Sequence, residues 1–271
     1  MKTVSEASHW RKARVAGRVA WTERLFSLQI EEPEIRFIAG QFASLALPAP
    51  EGSVEPMVAR PYSFVNAPGN VPSSAPHEFL ITEVPQGTLS PRLACLREGD
   101  DIWIGSAYGF FVCDEVPAAP VLWMMATGTG IAPFLSMLRT DEPWQKFGRV
   151  VLVHGVRWAE ELVYPDIIVA VQRERGGRFF YAPFVSREAV DCGAVNRERE
   201  NHPCFSGRIT AALASGKLEK AVGHVIDKEM AQVMLCGNPA MVEEVQGLLG
   251  ERGMRRHRKR APGQITVEAY W

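Results

Sequence analysis

The chain has 271 residues, 46% of them hydrophobic and 23% charged, a balance that excludes wholesale disorder. At roughly 100–200 residues per domain it holds one large domain or two ordinary ones. Thirty basic against 31 acidic side chains leave a formal net charge of −1. That argues against a surface given over to nucleic acid or membrane, but not against a local patch.

Residues 1–19 carry charges such as Lys2, Glu6, Arg11 and Arg14 and hold no apolar core of a secretory signal. From about 15 to 114 the pattern is short and β-like. Apolar or alternating runs fall at 15–20, 26–30, 42–47, 62–65, 79–84 and 102–104. Turn signals such as Ala39-Gly40 and Glu98-Gly99-Asp100 separate them. This rhythm predicts an antiparallel sandwich or barrel. A short helix is expected at 90–96, with Ser90 as N-cap and Pro91 at the first helical position.

The rhythm then changes. Buried strands are expected at 121–126, 150–156, 179–185 and 233–236, and helices at 132–139, 162–173 and 240–249. In the last, Met241, Val245, Leu248 and Leu249 recur at helical spacing. Strands alternating with helices imply a largely parallel sheet. The boundary is placed near 117–120, giving domains at 10–117 and 118–271. The polar stretch 188–203 reads as a surface loop. The longest apolar run, 121–126, is far too short to span a bilayer. Five cysteines (Cys95, Cys113, Cys192, Cys204, Cys236) form no CxxC pair and no short-spaced cluster with histidine. Reduced thiols, with no zinc and no iron–sulfur cluster, fit best.

Three local patterns carry chemistry. Ala126-Thr127-Gly128-Thr129-Gly130-Ile131-Ala132-Pro133 lies between an apolar strand and a helix. It is either a phosphate-facing loop at a helix N-terminus or a plain strand-to-helix turn. It is neither GxGxxG nor a P-loop. Arg60-Pro61-Tyr62-Ser63 offers a cation, a ring and a hydroxyl, though taken alone it reads better as an alternating strand. Val267-Glu268-Ala269-Tyr270-Trp271 ends the chain on two aromatics, either a core cap or a flat lid over a ring system.

These patterns, with Cys236-Gly237-Asn238-Pro239 after a later strand, occur in the order found in a known family. The chain resembles the bacterial ferredoxin/flavodoxin–NADP⁺ reductases of the short type ending in an aromatic pair, from about residue 15 to 271. The resemblance implies a Greek-key antiparallel β-barrel that binds FAD, followed by an α/β domain that binds NADP. It places Arg60, Pro61, Tyr62 and Ser63 on FAD, then Leu80, Ile81, Thr82, Thr88, Leu89 and Ser90. Thr129 falls near flavin and nicotinamide. Tyr270 covers one flavin face, and Trp271 packs on the adenine side. Cys236, Glu268 and Tyr270 are the implied catalytic set. Gly128, Gly130, Val156, Arg157, Asn238, Pro239, Ala240 and Glu244 fall on the NADP side, and Ser186, Arg187 and Arg208 match its 2′-phosphate contacts. NADPH should therefore be preferred over NADH.

Arg255-Arg256-His257-Arg258-Lys259-Arg260 is the densest charge run. It reads as a solvated turn, or as nucleic-acid affinity. The resemblance favours a basic rim that steers an acidic ferredoxin or flavodoxin. A cytoplasmic monomer is implied. The reductase component of an oxygenase, or a free-flavin reductase, is the enzymatic alternative. The N-terminal segment and the loops 69–76 and 188–203 are longer than the family usually has.

Overall fold

The computed structural model describes residues 10–32, 34–69, 75–189 and 203–269. Six antiparallel strands form the first sheet: β1 (Arg11–Ala20), β2 (Leu25–Glu31), β3 (Phe42–Pro48), β4 (Met57–Ser63), β5 (His77–Thr82) and β6 (Asp101–Ile104). Their order is β4-β3-β6-β1-β2-β5, and a bridge between Phe64 and Phe79 brings the two edge strands together as a barrel. Strand β1 carries a bulge, since its register slips by one residue between Val15 and Gly17. Helix α1 (Ser90–Ala94) lies between β5 and β6.

The strands β2 and β5 show how the barrel meets the rest of the chain. Phe26, Leu28, Ile30, Phe79 and Ile81 fill the barrel core. Side chains alternate across a strand, so Leu25 and Leu80 point the other way. They join a second core with Ile131, Phe134, Leu135 and Met137. Both faces of these strands are thus covered. Each large apolar side chain so buried contributes about 1.5–3 kcal/mol.

The second sheet is all parallel, in the order β10-β9-β8-β7-β11-β12. It comprises β7 (Val121–Thr127), β8 (Arg149–Val156), β9 (Phe179–Val185), β10 (Phe205–Ser206), β11 (Ala231–Gly237) and β12 (Ile265–Ala269). Val121, Trp123 and Met125 of β7 pack on one face, Leu122, Met124 and Ala126 on the other. Burial on both faces is why these strands read as unbroken apolar runs. Around the sheet lie α2 (Ala132–Leu138), α3 (Glu142–Lys146), α4 (Pro165–Arg175), α5 (Ile209–Ala214), α6 (Lys217–Val222) and α7 (Pro239–Glu251).

Several expectations shift. The strand expected at 62–65 is Met57–Ser63, and the one expected at 79–84 ends at Thr82. The helix expected from 162 starts at Pro165, because Tyr164 before it is left-handed (φ 58°) and ends the preceding turn. Ser90 is not an N-cap. Leu89 holds that position, and the Ser90 hydroxyl accepts from the Val84 amide at 3.0 Å. Cys95, Cys113 and Cys236 are in no disulfide. The expectation fails at Cys204, which is disulfide-bonded. Among the described residues no helix is long and apolar enough to cross a membrane.

A polar clasp joins the barrel to the parallel sheet. The Trp21 indole donates to Ser27 Oγ (2.7 Å), and the Ser27 and Tyr164 hydroxyls lie 2.5 Å apart. Tyr164 donates in turn to Glu78 Oε1 at 2.9 Å. Burial and the Glu78 carboxylate push the Tyr164 phenol far above its ordinary pKa, so it keeps its proton. A left-handed tyrosine costs about 1–2 kcal/mol, which these bonds offset. Tyr164→Phe leaves the buried Ser27 hydroxyl with only its Trp21 contact and takes the phenol donor from Glu78, and is expected to lower unfolding free energy by about 1–3 kcal/mol, measured by urea denaturation. A midpoint equal to that of the wild type would dismiss the clasp.

Candidate functional site

The parallel sheet sets the site's position. Chain order runs outward from β7 through β8 to β10 on one side, and through β11 to β12 on the other. A crevice opens outside the carboxyl ends of the strands where such an order reverses. Here those ends are Thr127-Gly128 after β7 and Gly237-Asn238 after β11, and both line a cleft of about 560 Å³.

Two glycines make the crevice. A Cβ on Gly130 would lie 2.6 Å from the Cys236 carbonyl oxygen and 2.9 Å from Gly237 Cα. Gly237 itself has φ +126°, and a Cβ there would meet Thr127 Oγ1 at 2.4 Å. The β7 turn can therefore seat against β11 only without side chains. Thr127 Oγ1 then accepts the Asn238 amide at 2.8 Å. The Asn238 side chain accepts from the Ala240 amide at 2.9 Å and caps α7. The expected helix after the loop is preceded by one tighter turn, Gly128–Ile131. His154 of β8 fixes that turn from below. It is fully buried, and its Nε2 lies 3.0 Å from the Gly128 carbonyl oxygen. A carbonyl only accepts, so Nε2 carries the proton. Burial lowers the His154 pKa to about 4.

The cleft wall away from the barrel is cationic. Val156, Arg157, Ser186, Arg187 and Arg208 all line it, from the ends of β8, β9 and β10. Arg157, Arg187 and Arg208 are exposed and enter no ion pair among the described residues. Two carboxylates close by in sequence are turned to backbone amides. Glu161 accepts the Arg157 and Trp158 amides at 2.8 and 3.1 Å, and Glu188 accepts the Ala159 amide. Ser186 is held by its hydroxyl and its amide, both donating to the Val156 carbonyl at 3.1 Å. Ala240 and Glu244 line the α7 side, while Pro239 begins α7 without lining the cleft.

Thr82 at the end of β5 closes the cleft on the barrel side. Arg60 and Pro61 of β4 are exposed, Tyr62 is half-buried and Ser63 is buried. Burial pushes the Tyr62 phenol up to about 12 against the opposing pull of Arg60. Leu80 and Ile81 are sunk in the two cores, so only their backbone can face a ligand. Thr88 is exposed, whereas Leu89 and Ser90 are buried at the start of α1. Arg92 of α1 donates through Nη2 to the Pro48 carbonyl (2.7 Å), and its buried Nη1 has no partner among the described residues.

Cys236 is fully buried and sits opposite Glu268 in the β11–β12 register. Burial raises the Glu268 carboxyl pKa to about 7, and its Oε2 has no hydrogen-bond partner among the described residues. Tyr270 and Trp271 lie outside the described residues.

The residues 124–247 match the model of the oxidoreductase NAD-binding domain. A protein of Shigella flexneri called flavodoxin/ferredoxin–NADP reductase is 42% identical over 97% of this chain and 99% of its own length. Its Escherichia coli K12 counterpart is 41% identical over the same shares. This chain belongs to the flavodoxin/ferredoxin–NADP reductase family. A solved ferredoxin–NADP⁺ reductase of Neisseria gonorrhoeae with bound FAD and NADP superposes with a TM-score of 0.83 at 31% identity, covering 97% of this chain and 99% of that one. Membership makes the chain an oxidoreductase built from a barrel-like antiparallel unit and a parallel nucleotide-binding unit.

Within that family frame, sequence reasoning overlooked His154 and the caps made by Thr127 and Asn238. A histidine inside an apolar strand was the available signal for the first. The others depend on contacts 111 residues apart along the chain.

Proposed function

We propose that this chain passes electrons between NADPH and a ferredoxin or flavodoxin, holding FAD between the barrel (10–117) and the parallel sheet (118–271). The reading is carried by the cleft at the β7–β11 reversal, which runs from Thr82 of the barrel to the exposed Arg187 and Arg208. The residues present fit both cofactors. Gly130 and Gly237 let the β7 turn close on β11, and Gly128, which lines the cleft with open space where a Cβ would stand, leaves backbone bare for the close approach of a pyrophosphate. Arg187, Arg208 and Ser186 suit a dianionic 2′-phosphate. Arg60, Ser63 and the orphan Nη1 of Arg92 suit the phosphates and hydroxyls of FAD, with Tyr62 as a half-buried ring for its flat system.

Bound FAD supplies the exchange between two-electron and one-electron chemistry. The chain supplies the rest. His154 and the Thr127–Asn238 contact hold the glycine turn against β11, so the nucleotide has a fixed floor. Arg157 and Glu244 border that floor, and Thr129 stands within it. Glu268 can hold or release a proton at Oε2 near neutral pH, beside Cys236. The basic turn Arg255, Arg256, Arg258, Lys259 and Arg260 is exposed and would draw an acidic carrier. A single copy working in the cytoplasm is proposed.

The test is the visible spectrum of the purified protein before and after nucleotide. A yellow protein bleached by NADPH far faster than by NADH is expected. A colourless protein that takes up no FAD would overturn the flavin assignment. Equal bleaching by NADH would overturn the nucleotide preference, and bleaching by neither would leave a non-catalytic flavoprotein.

A further inference from the structure

Two large aromatic side chains stand out on the segment joining the two sheets. Tyr108 is 59% exposed and Phe110 68%. They are not loosely held. Tyr108 and Phe42 exchange both backbone hydrogen bonds at 2.9 Å, and their rings meet edge-on at 6.0 Å. Phe110 meets Tyr108 edge-on at 5.5 Å. Between them Gly109 takes φ +126°, where a Cβ would press on the Phe42 ring at 3.2 Å. The next residue, Phe111, is buried against Phe134 of α2. The backbone thus anchors on both sides of an aromatic pair that it turns outward.

Beside Phe110 opens a second cavity, of about 480 Å³. Phe111 and Glu115 form one wall, and residues 256–259 form the other. Its floor is Thr266 and Glu268 of β12, whose Oγ1 and Oε2 are both buried without a hydrogen-bond partner among the described residues. The basic wall is itself fixed. His257 donates its amide to the Ile265 carbonyl at 2.7 Å, and Arg258 and Ala261 bridge each other. Arg256, Arg258, Lys259 and Arg260 enter no ion pair among the described residues. Glu115 is the one carboxylate on the walls.

An exposed apolar patch rimmed by charge marks an interaction surface. Aromatics supply the apolar energy of such faces, and unpaired cations select the partner's sign. We propose that Tyr108 and Phe110 are the apolar anchor of a docking face rimmed by the basic turn. Its occupant is an acidic redox protein that sets an apolar contact, ringed by carboxylates, against the two rings. This rests on the reading of the basic turn given above and adds the contact that turns attraction into a seated complex. A protein is favoured over a lipid surface because the cavity ends at Glu268, in register with the buried Cys236 that directly precedes Gly237 of the cleft. A carrier seated there lies against the redox site.

The test uses the FAD-loaded protein with NADPH, and an acidic flavodoxin as probe. For each variant, kcat/KM for flavodoxin is divided by kcat/KM for ferricyanide on the same preparation. Phe110→Ser and Tyr108→Ser are expected to lower this ratio at least fivefold through KM, with the dependence on ionic strength kept. Phe110→Leu, which keeps apolar area, should recover most of it. Replacing Arg256, Arg258 and Lys259 by Gln should instead flatten the ionic-strength dependence. An unchanged ratio in both serine variants overturns the anchor while leaving the basic rim standing. An unchanged salt dependence in the glutamine variant refutes the basic rim, whatever the aromatics do. Sedimentation with phosphatidylglycerol vesicles that Phe110→Ser abolishes would overturn the proposal in favour of a membrane face.

Discussion

Replacing Arg187 and Arg208 together by alanine is expected to lower the NADPH-to-NADH ratio of kcat/KM about 100-fold. The two nucleotides differ only in the 2′-phosphate, so any residue acting on that group must change the ratio. A charge-assisted hydrogen bond is worth about 1.5–3 kcal/mol. These guanidiniums are exposed, so the low end applies, and two contacts of that size give roughly two powers of ten. Each single variant should lose about tenfold. Among the described residues neither arginine is in an ion pair, while Glu161 Oε2 and Glu188 Oε1 are each turned to backbone amides. Activity with NADH should hold, since it presents no phosphate to miss. Raising ionic strength should erode the wild-type preference in the same direction. A double variant whose ratio stays at the wild-type value would remove both residues from the phosphate.

Much of the architecture was legible because burial leaves a pattern in composition. The strands β7, β8 and β9 are covered on both faces, so they read as continuous apolar runs, and β9 falls on the expected 179–185. The start of β1 was hidden. Arg11, Lys12 and Arg14 carry no apolar signal, and they are strand only because β6, about 90 residues on, pairs with them. The two-residue β10 and the short α5 and α6 were too brief for any period to show. The glycine turn after β7 was visible as spacing, but its cause was not. Gly130 is required by the Cys236 carbonyl pressing against it, a contact that no local window contains. Tyr164 was likewise invisible. Its left-handed backbone broke the expected helix, and its partners Ser27 and Glu78 lie 137 and 86 residues away.

His154 is expected to make the fold acid-sensitive in a way that Glu268 conceals. The histidine is neutral in the folded chain down to about pH 4, whereas an unfolded histidine titrates near 6.5. Its contribution is therefore complete above pH 6.5 and is lost as pH falls toward 4. The size is roughly 3 kcal/mol. Glu268 has the opposite sign. Its folded pKa is about 7 against 4.5 when free, so its contribution is complete below 4.5 and lost as pH rises to 7. Between pH 4.5 and 6.5 the two slopes oppose, and the wild type should show little net change from this pair. His154→Gln keeps a donor to the Gly128 carbonyl but cannot titrate. Relative to the wild type, that variant should gain roughly 2–3 kcal/mol on acidification from pH 7 to 4.5. Glu268→Gln should lose a similar amount over the same interval. Burial also lowers the His77 pKa, but His77 is common to all three proteins and cancels in the differences. Urea denaturation at the two pH values measures each term. Parallel pH dependence in wild type and His154→Gln would mean that His154 is not held neutral, and the glycine turn would lose its support from below.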